Sequence, residues 1–171
     1  MLTAYTNTKK HSDMKKLVFI LTLAVVSAFA FCACTKDKDN AQITNTLTIR
    51  GSKLAINMAM YAIYQEQGEG HVNFDLDAGP EATQLHGYGG FPSSWIGKTT
   101  NLSGPFFMSF NPMEGPSIDP VIKSGTVTVT QLADGRLHVV VDAVETNGDK
   151  FLLNVGSYDE TKINWDNFKF K

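Results

Sequence analysis

Residues 125–156 read GTVTVTQLADGRLHVVVDAVETNGDKFLLNVG. Apolar and polar side chains alternate through three runs of this segment. Val127 and Val129 alternate with Thr126, Thr128 and Thr130. Leu137, Val139, Val141 and Ala143 alternate with Arg136, His138, Val140 and Asp142. Phe151, Leu153 and Val155 alternate with Lys150, Leu152 and Asn154. Successive strand side chains point to opposite faces, so a period of two predicts three half-buried strands.

The turns between the runs set their register. Ala133-Asp134-Gly135 as a three-residue loop pairs Leu132 with Arg136. It then places Val129 opposite Val139, Val127 opposite Val141 and Thr130 opposite His138. Thr146-Asn147-Gly148 as a second such loop pairs Glu145 with Asp149, Val141 with Leu153 and Val139 with Val155. Glycine is third in both loops, where a type I turn is followed by a left-handed residue. A two-residue Asn147-Gly148 turn would set Val141 against Asn154 and mix core with solvent positions. The result is a hairpin meander with one Val/Leu/Phe face and one Thr-rich face. Glu145 facing Asp149 fits an exposed end, and His138 reads as a surface histidine.

An apolar sheet face needs a cover. Upstream, Leu54, Ile56, Met58, Met60 and Tyr64 share even positions of one long run. A strand of that length predicts a bend or bulge, with a helix as the alternative because Ala and Met favour helices. Gly68-Glu69-Gly70 then turns into His71–Leu76, where Val72, Phe74 and Leu76 alternate with polar residues. Further strands are expected at Thr83–Tyr88, Phe106–Asn111 and Ile163–Phe170. Gly87–Ser103 and Pro112–Pro120 read as loops. The expected fold is all-β, an antiparallel β-sandwich or β-barrel of about seven or eight strands ending in the meander.

The N-terminal quarter of the chain is organised differently. Lys15 and Lys16 follow Met14, Leu17–Phe31 is apolar apart from Thr22 and Ser27, and Ala33 precedes Cys34. This is the order of a secretory signal, with Met14 as the expected true start. A short membrane span over Leu17–Ala33 and cleavage after Ala30 are the alternatives. The expected organisation is a signal peptide over 1–33, a lipidated cysteine and charged tether over 34–45, and a single β domain over 46–171.

The chain has 171 residues, a formal charge of -2 and two cysteines. Residues 1–33 hold four lysines and one aspartate, so the remainder carries -5. That balance, without a basic stripe, argues against nucleic acid as a partner. Cys32 and Cys34 lie too close for good bridge geometry, and the β domain has no cysteine.

Phe31-Cys32-Ala33-Cys34 resembles a lipobox, and Thr35–Asn40 resembles the Asp-rich tether of Bacteroidota lipoproteins. That resemblance implies a diacylglyceryl thioether on Cys34, membrane attachment through lipid, an outer-membrane location and display on the cell surface. Two or more acyl chains anchor stably where one does not. Trp95–Leu102, followed by Ser124–Val129, is similar to small Bacteroidota surface lipoproteins of unknown function. This supports the β reading and carries no catalytic residues with it.

Candidate sites are few. Gly97-Lys98-Thr99 lacks the earlier glycine and following helix of a phosphate loop. Asp75 and Asp77 share one strand face and could hold calcium with a loop carbonyl, but a plain solvent face is the better account. His71 and His86 would join a metal site only if the fold brought them together. No Gly-x-Ser-x-Gly or His-Glu-x-x-His signature occurs, and neither a metal nor a cofactor is expected. The most ligand-like stretch is His86–Trp95, whose Tyr88, Phe91 and Trp95 stand among glycines. Such aromatics stack on sugar rings or plug one end of a β core. The expected function is non-catalytic binding of an extracellular glycan or protein partner. A lipocalin-like carrier of an apolar ligand is the alternative, and a small hydrolase the third.

Overall fold

The computed structural model describes residues 42–166. The expected signal peptide, Cys34 and most of the tether lie outside the described residues, as does the end of the strand expected at Ile163–Phe170. Among the described residues no helix is long and apolar enough to cross a membrane.

Among the described residues nine strands form: β1 (Thr46–Ile49), β2 (Ser52–Glu66), β3 (Glu69–Ala78), β4 (Leu85–Pro92), β5 (Lys98–Pro105), β6 (Met108–Pro112), β7 (Val121–Gln131), β8 (Leu137–Glu145) and β9 (Lys150–Asp159). They make one antiparallel sheet in the order β5-β7-β8-β9-β1-β2-β3-β4-β6, which is not closed into a barrel. A short parallel contact pairs Met60 with Tyr158 and Tyr61 with Asp159. The sheet folds over itself, because Phe110 of β6, at one edge, lies 5.8 Å from Phe151 of β9 near the middle.

The meander has the register its turns dictate. Val129 pairs with Val139 and Val127 with Val141. Val141 pairs with Leu153 and Val139 with Val155. In the loops, the Leu132 N–H donates to Arg136 O at 2.8 Å and the Glu145 N–H to Asp149 O at 2.8 Å. Gly135 and Gly148 sit at φ 87 and 93, the left-handed position that closes each loop.

β2 carries the expected irregularity. Its pairing with β3 shifts between Ile56 and Met58, leaving Asn57 as a bulge whose Nδ2 donates to Gly79 O at 2.6 Å. One extra residue reverses the strand's phase. Ile56 faces the core before the bulge, and Ala59 and Tyr61 face it afterwards. Met58, Met60 and Tyr64 therefore point away from the core they were expected to cover. The β2–β3 turn is Gln67-Gly68, both at positive φ, so β3 begins earlier than expected.

Four expectations are corrected. The stretch 87–103 is largely strand rather than loop: β4 runs to Pro92, and β5 begins at Lys98 after a 3-10 turn at Ser93–Trp95. A Cβ on Gly87 would come within 2.8 Å of the Phe110 ring, so glycine there admits close packing. His138 is 3 % exposed and its Nε2 lies 3.1 Å from Asn154 Oδ1. Residues 42–45 cross this part of β9: Thr44 N–H donates to Asn154 Oδ1 at 3.0 Å, and Gly156 N–H to Asn45 Oδ1 at 3.1 Å. Glu145 is 7 % exposed rather than solvent-facing. The residues from Ile163 to Asp166 are not strand; a 3-10 turn at Glu160–Lys162 precedes them.

The core is rich in aromatics. Tyr61, Phe74, Phe91, Phe110 and Phe151 are all nearly inaccessible. Burying each contributes roughly 1.5–3 kcal/mol. Tyr61 also donates its hydroxyl to Gly135 O at 2.5 Å, tying β2 to the β7–β8 loop. Burial pushes the Tyr61 phenol above its ordinary pKa, and Asp159 adds to this.

Candidate functional site

β4 divides the three expected ligand-binding aromatics. Tyr88 and Phe91 are three residues apart in one strand and so face opposite ways. Tyr88 is 45 % exposed on the outer face, whereas Phe91 is buried in the core. Trp95 is half-buried, stacked on Phe91 at 5.8 Å and edge-on to Phe107 at 5.8 Å. Phe91 and Trp95 thus plug the core, and Tyr88 alone belongs to an exposed surface.

That surface is the outer face of β2, β3, β4 and β6. Cross-strand partners form four rows on it. The first is Tyr64, His71 and Pro92, and the second Ala62, Asn73 and Gly90. The third is Met60, Asp75, Tyr88 and Ser109, and the fourth Met58, Asp77, His86 and Asn111. Tyr64 stacks on His71 with centroids 5.7 Å apart, and Tyr88 on His86 at 6.2 Å. Between these stacks lies the row of smallest side chains. Four residues of strand separate the Tyr64 and Tyr88 rows, about 13 Å. Two strand spacings, about 10 Å, separate them crosswise.

Polar groups line the same face. His86 Nδ1 lies 2.9 Å from Asp77 Oδ1. Ser109 donates its hydroxyl to Asp119 from the loop after β6. Asp75 is half-buried, and burial raises its pKa; His86 opposes that shift and Asp77 adds to it. From Met58 onward the outward positions also include Glu66 and Glu69 but no lysine or arginine; Lys53 precedes the bulge and pairs with Thr48 of β1.

Among the described residues no group of three or more His, Cys, Asp or Glu is arranged to hold a metal ion. His71 and His86 share the face but stand six residues of register apart, about 20 Å. Asp75 and Asp77 share the face as the alternation predicted, with Asp77 engaged by His86. Gly97 precedes β5, its N–H donates to Val129 O at 2.8 Å, and a strand rather than a helix follows it.

A separate cleft of about 330 Å³ is lined by Asp134, Arg136, Tyr158, Asp159, Lys162 and Ile163, among others. Arg136 lies 5.6 Å over the Tyr158 ring and pairs with Asp134 at 2.8 Å. Lys162 pairs with Asp159 at 2.8 Å. Burial pushes both carboxyls up, but hydrogen bonds outweigh it, from Arg136 to Asp134 and from Lys162 and Thr161 to Asp159, and hold both below the usual range. Each cation thus has its own anion in the cleft.

Sequence reasoning missed Tyr64, Asn73 and the Ala62–Gly90 row as parts of one surface. The missing signal was the bulge at Asn57, without which Tyr64 reads as core. Comparison of the chain with family models, with curated proteins and with solved structures gives no match.

Proposed function

We propose that this protein is a non-catalytic glycan-binding module, held at the outer membrane by lipid on Cys34 and displayed at the cell surface. The observation that carries the binding reading is the pair of exposed tyrosines, Tyr64 and Tyr88, on one broad polar sheet face. A sugar ring has an apolar C–H face bordered by hydroxyls. Tyrosine rings supply a rigid amphipathic surface for that face. Asn73 and Asp75, between the two stacks, supply acceptors for the hydroxyls. The separation of the tyrosines suits an oligosaccharide rather than a single sugar. The signal-like N-terminus, the lipobox resemblance and the charged tether support the anchor. A carrier with an apolar ligand inside has less support. The sheet is not closed, and Tyr61, Phe74, Phe91, Phe110 and Phe151 fill its inward side.

The test is a glycan array followed by calorimetry on the full chain. Tyr88→Ala and Tyr64→Ala should each weaken binding about tenfold. Val121→Ala, at an exposed site in β7, should leave it unchanged. If no glycan binds, or if both tyrosine variants bind as the wild type does, the proposal fails.

A further inference from the structure

We infer that the glycan selected by this face carries free amino groups. The inference rests on the glycan-binding reading above and adds the charge of the ligand.

The carboxylates on the face are not equivalent. Asp77 is engaged by His86, and Asp119 receives the Ser109 hydroxyl. Asp75 meets no hydrogen-bond donor among the described residues. It is half-buried and sits directly opposite Tyr88 in the β3–β4 register. An exposed ring beside an unengaged carboxylate is matched by a sugar whose C–H face covers the ring while its ammonium reaches the carboxylate. A charge-assisted hydrogen bond is roughly twice as strong as a neutral one. Partial burial strengthens the attraction further, because the local dielectric is lower than that of water.

The surrounding charge points the same way. Glu66, Glu69, Asp77 and Asp119 accompany Asp75, and no lysine or arginine stands in the four rows of the face; Lys53, before the bulge, is paired with Thr48 of β1. Such a field attracts cationic chains and repels uronates and sulfated sugars.

The test titrates the full chain with four oligosaccharides of equal length at about pH 6, where carboxylates are ionised and amines protonated. They are a β-linked glucosamine oligomer, its N-acetylated form, a neutral glucan and a uronate oligomer. The glucosamine oligomer should bind about tenfold more tightly than the acetylated and neutral chains, and the uronate most weakly. Asp75→Asn should erase that preference while residual binding to all the chains persists. Asp75→Glu keeps the charge and should keep the preference, and thermal melts of both variants confirm folding. If neutral or acetylated chains bind as tightly as the amine form, if the uronate binds best, or if folded Asp75→Asn retains the preference, the amine inference falls and the glycan reading stands. If the wild type binds none of the four and no array glycan, both fall.

Discussion

Glu145→Gln keeps the shape of a buried side chain and removes its charge. Glu145 ends β8, 7 % exposed, and its Oε1 has no hydrogen-bond partner among the described residues. Burial raises its pKa, the negative charge of Asp149 raises it further, and Arg50 only partly offsets them. A carboxyl whose pKa is raised on folding is held protonated more tightly by the native state than by the unfolded chain. Its contribution to stability is therefore complete below the unfolded glutamate value, about 4.3, and is lost as pH rises through the higher native value. At neutral pH the native state holds an anion with one unsatisfied oxygen. An unsatisfied buried polar group costs about 1–3 kcal/mol. Glutamine stays neutral but still buries an amide, so the gain belongs at the lower end of that range, about 1 kcal/mol. Urea unfolding followed by tryptophan fluorescence should move the midpoint up by about 0.5 M at pH 7. At about pH 3, where both side chains are neutral, the midpoints should coincide. A gain of the same size at both pH values would show that charge burial is not the cause. A loss of stability at pH 7 would show that Arg50 stabilises the carboxylate by more than burial penalises it.

Two further outcomes check the fold and the anchor. Phe110→Ala and Phe151→Ala should each lose about 3–5 kcal/mol in urea unfolding. The double variant should lose less than the sum by about 0.5–1.5 kcal/mol, because the rings meet across the folded sheet; strict additivity would contradict that contact. Cells fed an alkyne fatty acid should label the wild-type protein but not Cys34→Ala, and label retained on the variant would exclude Cys34 as the acceptor.

The meander was readable because three independent constraints agreed: alternation, loop length and the glycine in each loop. Val127, Val139, Val141 and Leu153 could satisfy all three in one register only. β5 was not readable. It is an edge strand whose residues alternate half-buried and exposed, so Lys98, Thr99, Thr100 and Asn101 carry no apolar period. In β4 the glycines suggested a loop, yet Gly87 marks tight packing against Phe110. His138 was placed on the correct face, but nothing local announced that residues 42–45 cross its β9 neighbours. For the candidate site, Tyr88 was legible as an exposed aromatic. Asp75 and Asp77 of β3 were legible from its alternation, but the partners on β2 were not, because their orientation depends on a bulge that no turn residue signals.

That bulge makes strand length a determinant of what the protein presents to its surroundings. Were β2 to run through Asn57 as regular strand, every residue from Met58 to Glu66 would exchange sides. Tyr64 would turn inward, and Tyr61, now bonded to Gly135, would turn to solvent. Deleting Asn57 itself removes only the extra residue, so Met58 would follow Ile56 in regular alternation and the face would be kept. In a set of homologues, a gap of one residue at the bulge would therefore leave the surface recognisable, whereas a gap of two would reverse it.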